Sequence, residues 1–151
     1  VRRRMEVRGE AGGVTVIDDF AHNPDKIAAS LETAAARTTG RVLAVFQPHG
    51  FGPTRFLRDA LVAAFAAGLR EQDSLWLPEI FFAGGTVERT ISSADLVADL
   101  ADRGVDARFC ALREDLPQQL ATAASAGDLI LVMGARDPSL TAFCGDVLEA
   151  L

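Results

Sequence analysis

Val42-Leu43-Ala44-Val45-Phe46, running straight into Gln47-Pro48-His49-Gly50-Phe51-Gly52-Pro53, decides how this chain folds. Five apolar residues without alternation read as a strand covered on both faces, the habit of a parallel sheet. The glycines and prolines that follow mark a loop, and helical spacing resumes from Phe56 to about Leu69. Strand, loop and helix in that order is half of a crossover unit. The same unit recurs along the chain.

Upstream, Met5–Arg8 and Val14–Asp18 flank Glu10-Ala11-Gly12-Gly13, a hairpin signal. Asn23-Pro24 opens a helix, with Asn as the cap and Pro in the first turn. Ile27, Leu31 and Ala34 continue it, and Gly40 closes the unit. Downstream, Ser74–Leu77 reads as a strand and Gly84-Gly85 as a break. Ser92 with Asp95 is close to a capping box, opening a helix that stops at Gly104. Ala107–Ala111 is a short strand, Leu116–Ala124 a helix, Leu129–Met133 a buried strand and Leu140–Leu151 a final helix. This alternation predicts an α/β fold. Its sheet is Rossmann-like and mostly parallel, with helices on both faces and an N-terminal antiparallel hairpin. With no linker, repeat or low-complexity tract, residues 1–151 read as a single domain.

Composition narrows the function classes. The chain is 49% hydrophobic and 24% charged, ordinary for a globular protein. Its net charge of −6 argues against a nucleic-acid or anionic-membrane partner. Lys26 is the only lysine and tyrosine is absent. No apolar run is long enough to span a bilayer. Val1 is followed at once by Arg2-Arg3-Arg4, without the apolar segment of a signal peptide. The expectation is a piece of a longer, cytoplasmic protein. Cys110 and Cys144 are too few for a disulfide framework and wrongly spaced for zinc, and read as buried, inert thiols.

Ligands of such sheets bind beyond the carboxyl ends of the strands. Three loops leave strands there with unusual content: Asp18-Asp19-Phe20-Ala21-His22-Asn23-Pro24, Gln47 through Arg55, and Gly134-Ala135-Arg136-Asp137-Pro138-Ser139. Both histidines of the chain lie in them. The acidic pair reads equally as a capped turn or as a partner for a ribose hydroxyl or an arginine. Arg55 and Arg136, beside Gly, Thr and Ser, suit an anion. The expectation is that Asp19, His22, His49, Arg55 and Arg136 share one sheet edge. A phosphate loop with Gly-Lys-Ser or Gly-Lys-Thr is missing, as are a Rossmann glycine fingerprint and a Gly-x-Ser-x-Gly elbow. A phosphoacceptor receiver domain fits poorly, because the relevant loops carry Pro78-Glu79 and Ala135-Arg136.

The run from Arg3-Arg4-Met5-Glu6-Val7 through Asp18-Asp19-Phe20-Ala21-His22-Asn23-Pro24 resembles the start of the C-terminal domain of Mur ligases, the ATP-dependent amino-acid ligases of peptidoglycan precursor synthesis. Val45-Phe46-Gln47-Pro48-His49 and Gly127 through Ala135 are similar to the muramate–alanine ligase branch. The resemblance implies a closing domain for an ATP-dependent ligation through an acyl phosphate, with UDP-muramate and an amino acid as substrates. ATP and Mg would be held mainly by a central domain, with an N-terminal domain completing the chain. Residue by residue, it implies nucleotide contacts for Arg4, Asp19, His22 and Asn23, and acceptor-side positions for His49, Arg55, Arg136 and Asp137. It implies no metal ligand here. Three positions depart from the pattern: Gly50 and Pro53 stand where basic residues are usual, and Arg136 where a glycine is. The acceptor therefore stays open between an amino acid, a tripeptide and a folylpolyglutamate-type substrate. A stand-alone nucleotide or anion-binding module and a purely structural domain remain as readings of the residues alone.

Overall fold

The computed structural model describes residues 2–82, 90–134 and 139–151. Gly84-Gly85 lies outside them. β1 (Glu6–Ala11) and β2 (Val14–Asp19) pair antiparallel across the two-residue turn Gly12-Gly13. Both glycines have positive φ, 59° and 78°, which the tight primed hairpin turn requires of its two central residues. The first strand thus runs three residues past Arg8, because the turn needs only those two glycines. α1 (Pro24–Ala36) starts as predicted, with the Asn23 side chain accepting from the Lys26 amide at 2.9 Å.

β3 (Val42–Phe46) is buried at every position. α2 spans Phe51–Gly68, so the helix predicted from Phe56 begins five residues earlier. Gly50, at φ 79°, turns the chain into the helix. Pro53 sits in the first turn, where its missing N–H leaves no bond unmade. This correction moves Arg55 from the loop onto the helix. β4 (Ser74–Pro78), α3 (Ser93–Asp102) and β5 (Asp106–Cys110) follow. The predicted capping box at Ser92 and Asp95 is present. A 3-10 turn over Arg113–Asp115 precedes α4 (Leu116–Ala123), and β6 (Leu129–Met133) and α5 (Ser139–Ala150) end the chain.

The six strands lie in the order β1-β2-β6-β3-β4-β5, parallel from β2 onward. The last strand in sequence is inserted between the second and third. Its LILVM run is buried throughout because it pairs on both sides and is covered on both faces. α1, α2 and α3 pack on one face over Ile17, Ala44, Leu75 and Leu131. α4 and α5 pack on the other over Val16, Val45, Trp76 and Ile130. β5 is the edge, and its exposed Asp106, Arg108 and Phe109 explain why its sequence is mixed. Cys110 and Cys144 are buried. Burial pushes the Cys144 thiol up to about 12 and raises that of Cys110 as well, so both are protonated and unreactive near neutrality. Among the described residues no helix is long and apolar enough to cross a membrane.

Candidate functional site

β3 sends α2 to one face of the sheet, and its neighbour β6 sends α5 to the other. Between two such strands the loops diverge and open a crevice at the carboxyl edge. The Gln47 amide donates to the Met133 carbonyl at 3.0 Å, joining the two loops at their base. Gly134 makes this approach possible. A β-carbon there would lie 2.8 Å from Leu140 and 3.2 Å from the Gln47 carbonyl oxygen, and φ is 153°. Only a hydrogen fits.

Two cavities carry the predicted residues. His22 and His49 line one of about 170 Å³ with Pro48, Pro53, Thr54 and Leu57. The N-terminus of α2, which has no side-chain cap, lies beside it after Gly50 and places positive dipole charge at this edge. Two backbone bonds to the loop after β4 hold His49: Phe81 N–H to the Pro48 carbonyl and Gly50 N–H to the Phe81 carbonyl, both 2.8 Å. The His49 and Phe81 rings lie 5.3 Å apart. His22, exposed, packs edge-on against Phe20, and its Nδ1 lies 3.2 Å from the Phe20 carbonyl.

Arg4 and Asp19 line the second cavity, about 240 Å³, with Phe20, Ala21, Lys26, Ala29 and Ser30. Asp19 accepts from Met5 N–H at 2.8 Å, Ala21 N–H at 3.2 Å and Ser30 Oγ at 2.5 Å. A carboxylate offers about four acceptor sites, and three are taken here. Asn23 gives its side-chain oxygen to the α1 cap. Arg55 stands apart from both cavities, donating to Thr90 Oγ1. Arg136 and Asp137 lie outside the described residues. Asp19, His22 and His49 thus share the predicted edge. Among the described residues no three His, Cys, Asp or Glu gather to hold a metal ion.

The acidic pair turns out to stitch the N-terminal segment onto this edge. Asp18, fully buried, accepts from Arg3 Nε at 3.0 Å and Thr141 Oγ1 at 2.9 Å. Arg3 also donates to the Gly134 carbonyl at 2.7 Å and lies over the Phe20 ring. Arg3 and Met5 both adopt positive φ, 54° and 45°, a costly backbone that these bonds hold in place.

Sequence reading missed Arg3, Glu79 and Arg113. Arg3 stood beside Arg4 with nothing to separate them, and the other two sat in turns without a motif. Glu79 closes the loop after β4, accepting from the Ile80 and Ser93 amides and from Ser92 Oγ. Burial raises its pKa, but those three hydrogen bonds outweigh it and hold the carboxyl below the ordinary glutamate range. A lowered native pKa stabilises the fold fully above the unfolded value, near 4.3, and that contribution disappears as pH falls through the native value. Acid thermal melts of Glu79→Gln are therefore expected to show a shallower loss of Tm below about pH 4.3 than those of the parent. Parallel acid limbs would contradict this.

A family model described as "Mur ligase, glutamate ligase domain" matches residues 3–136. A UDP-N-acetylmuramate–L-alanine ligase from Lachnospira eligens is 40% identical over 135 residues, covering 89% of this chain and 28% of that protein. The chain thus spans less than a third of that relative's length. Among solved structures, a murein peptide ligase from Psychrobacter arcticus superposes with a TM-score of 0.75 at 22% identity over 99% of this chain and 30% of its own. A UDP-N-acetylmuramate-alanine ligase from Thermotoga maritima gives 0.74 at 22% identity, with 99% and 30% covered. At such identities the structural likeness speaks for the fold.

Proposed function

The chain belongs to the Mur ligase family, as its glutamate ligase domain, and on that premise we propose that it is the closing C-terminal domain of an ATP-dependent ligase that adds L-alanine to UDP-N-acetylmuramate. The observation that carries this reading is the meeting of His22 and His49 on one cavity at the carboxyl edge of the sheet. The 40% identity to an alanine-adding ligase supports the acceptor. The reaction forms an acyl phosphate on the muramate carboxylate. Attack by the acceptor amine then forms the amide, and phosphate leaves. His49, just before the N-terminus of α2, takes the acceptor's ammonium proton, so that the free amine is the attacking species. Arg55, Arg136 and Asp137 complete the acceptor-side set on the resemblance alone.

The second cavity fits part of a nucleotide. Arg4 and Lys26 supply positive charge, Phe20 an aromatic face, and Asp19 its remaining acceptor site for a ribose hydroxyl. At about 240 Å³ it is below the usual size of a complete ligand pocket. The rest of ATP, and Mg, fall to a central domain of the longer chain. ATP there supplies the phosphoryl group that activates the carboxylate. Closing this domain over the site excludes water from the acyl phosphate.

The test is ADP release by the full-length enzyme with UDP-N-acetylmuramate and ATP, comparing L-alanine with the L-alanyl tripeptide. Turnover that depends on L-alanine is expected. Turnover only with the tripeptide moves the chain to the peptide-adding branch. No acceptor-dependent turnover, together with micromolar ATP binding by the 151-residue chain alone, would establish a stand-alone nucleotide module instead.

A further inference from the structure

Gln47 is 3% exposed, and both its amide hydrogens and its amide oxygen are hydrogen-bonded. Nε2 donates to the Pro48 carbonyl at 3.0 Å and to the Glu79 carbonyl at 2.8 Å. Oε1 accepts from Arg113 Nη1 at 3.2 Å, across 66 positions of sequence. Only one amide orientation suits these partners, since the reverse would set an oxygen against two carbonyl oxygens and an NH2 against a guanidinium. Arg113 also donates to Ser139 Oγ at the start of α5 and lies over the Phe143 ring. One network therefore ties the loops after β3, β4 and β5 to the start of α5. Its inner end is the Pro48 carbonyl, the peptide oxygen next to His49.

We propose that Arg113 and Gln47 are positioning residues for His49, with the guanidinium setting the orientation of the amide and the amide fixing the peptide that carries the imidazole. Neither side chain needs to touch the reacting atoms. The chemistry is that of a buried amide tied into a hydrogen-bonded network, whose members shift together when one is removed. The kinetic consequence rests on the ligase reading above; the structural one does not.

The test uses this separation. The chain has two histidines, so each ring gives one assignable Hε1 resonance, and that of His49 reports its place over Phe81. In Arg113→Met and Gln47→Glu the His49 resonance is expected to move while that of His22 stays, with melting still cooperative. Arg113→Lys, which keeps one donor, is expected to restore part of the His49 position. Should Gln47→Glu fail to fold, Arg113→Met carries the test by itself. An unmoved His49 resonance in a folded variant overturns the proposal, whatever the enzyme does. In the full-length ligase, the same variants are expected to lower kcat/KM for the acceptor about tenfold with the KM for ATP unchanged. If the parent enzyme does not ligate, that result counts against the ligase reading and leaves the resonance test standing.

Discussion

Asp18→Ala is expected to cost about 3–5 kcal/mol of unfolding free energy, the range for breaking one side of a buried ion pair. Asp18 has no exposed surface, and its partner Arg3 is 14% exposed. The substitution leaves the guanidinium facing an empty, desolvated place, and Thr141 loses its acceptor. For a chain of this length the loss corresponds to a fall in Tm of about 10 °C, readable by urea or thermal unfolding. Exposed pairs set the contrast. Arg8 and Glu6 meet at 3.3 Å with both side chains about one-third exposed, and Arg8→Ala is expected to change stability by less than about 1 kcal/mol. Equal effects at the two sites would show that the Asp18 contact is not the buried anchor described here. Because Arg3 also holds the Gly134 carbonyl, Asp18→Ala loosens the carboxyl edge as well as the fold.

His49→Ala has the opposite signature. His49 is half-buried on a loop whose backbone is held by Pro48, Gly50 and Phe81, so the loop survives removal of the ring. The stacking lost against Phe81 amounts to about 1 kcal/mol. In the full-length ligase, kcat/KM for the acceptor is expected to fall about 10²-fold or more, the scale of a general base, with Tm nearly unchanged. A kcat/KM within a factor of two of the parent would remove His49 from the mechanism. A parallel loss of stability would reassign the ring to packing.

The two variants also mark what could be read from the residues. His49 was legible because imidazole among glycines and prolines after an apolar strand is a local pattern. The acidic pair was legible as a feature and open as to purpose. Asp18 binds an arginine 15 positions away and a threonine 123 positions away, and no periodicity links such partners. Gly52 and Pro53 look like breakers and so put Arg55 in a loop, whereas the first turn of a helix tolerates both. Arg113 carried no signal at all. Its importance arises from the end of β5 facing the end of β3, a fact of strand order.

The sequence by itself determined the elements and the two covered faces. Helix caps are set by neighbours within a few residues, and β3 and β6 state their burial in unbroken apolar runs. It also determined which edge of the sheet carries the histidine-bearing loops, since the loops that follow parallel strands all emerge at the same end. Only the tertiary structure decided which of those loops meet. β6, the last strand made, inserts between β2 and β3, and this alone brings Gly134 against Gln47 and Asp18 against Thr141. Pairing of that kind depends on contacts across most of the chain, where loop closure and burial of the whole sheet select the partner and no local pattern names it.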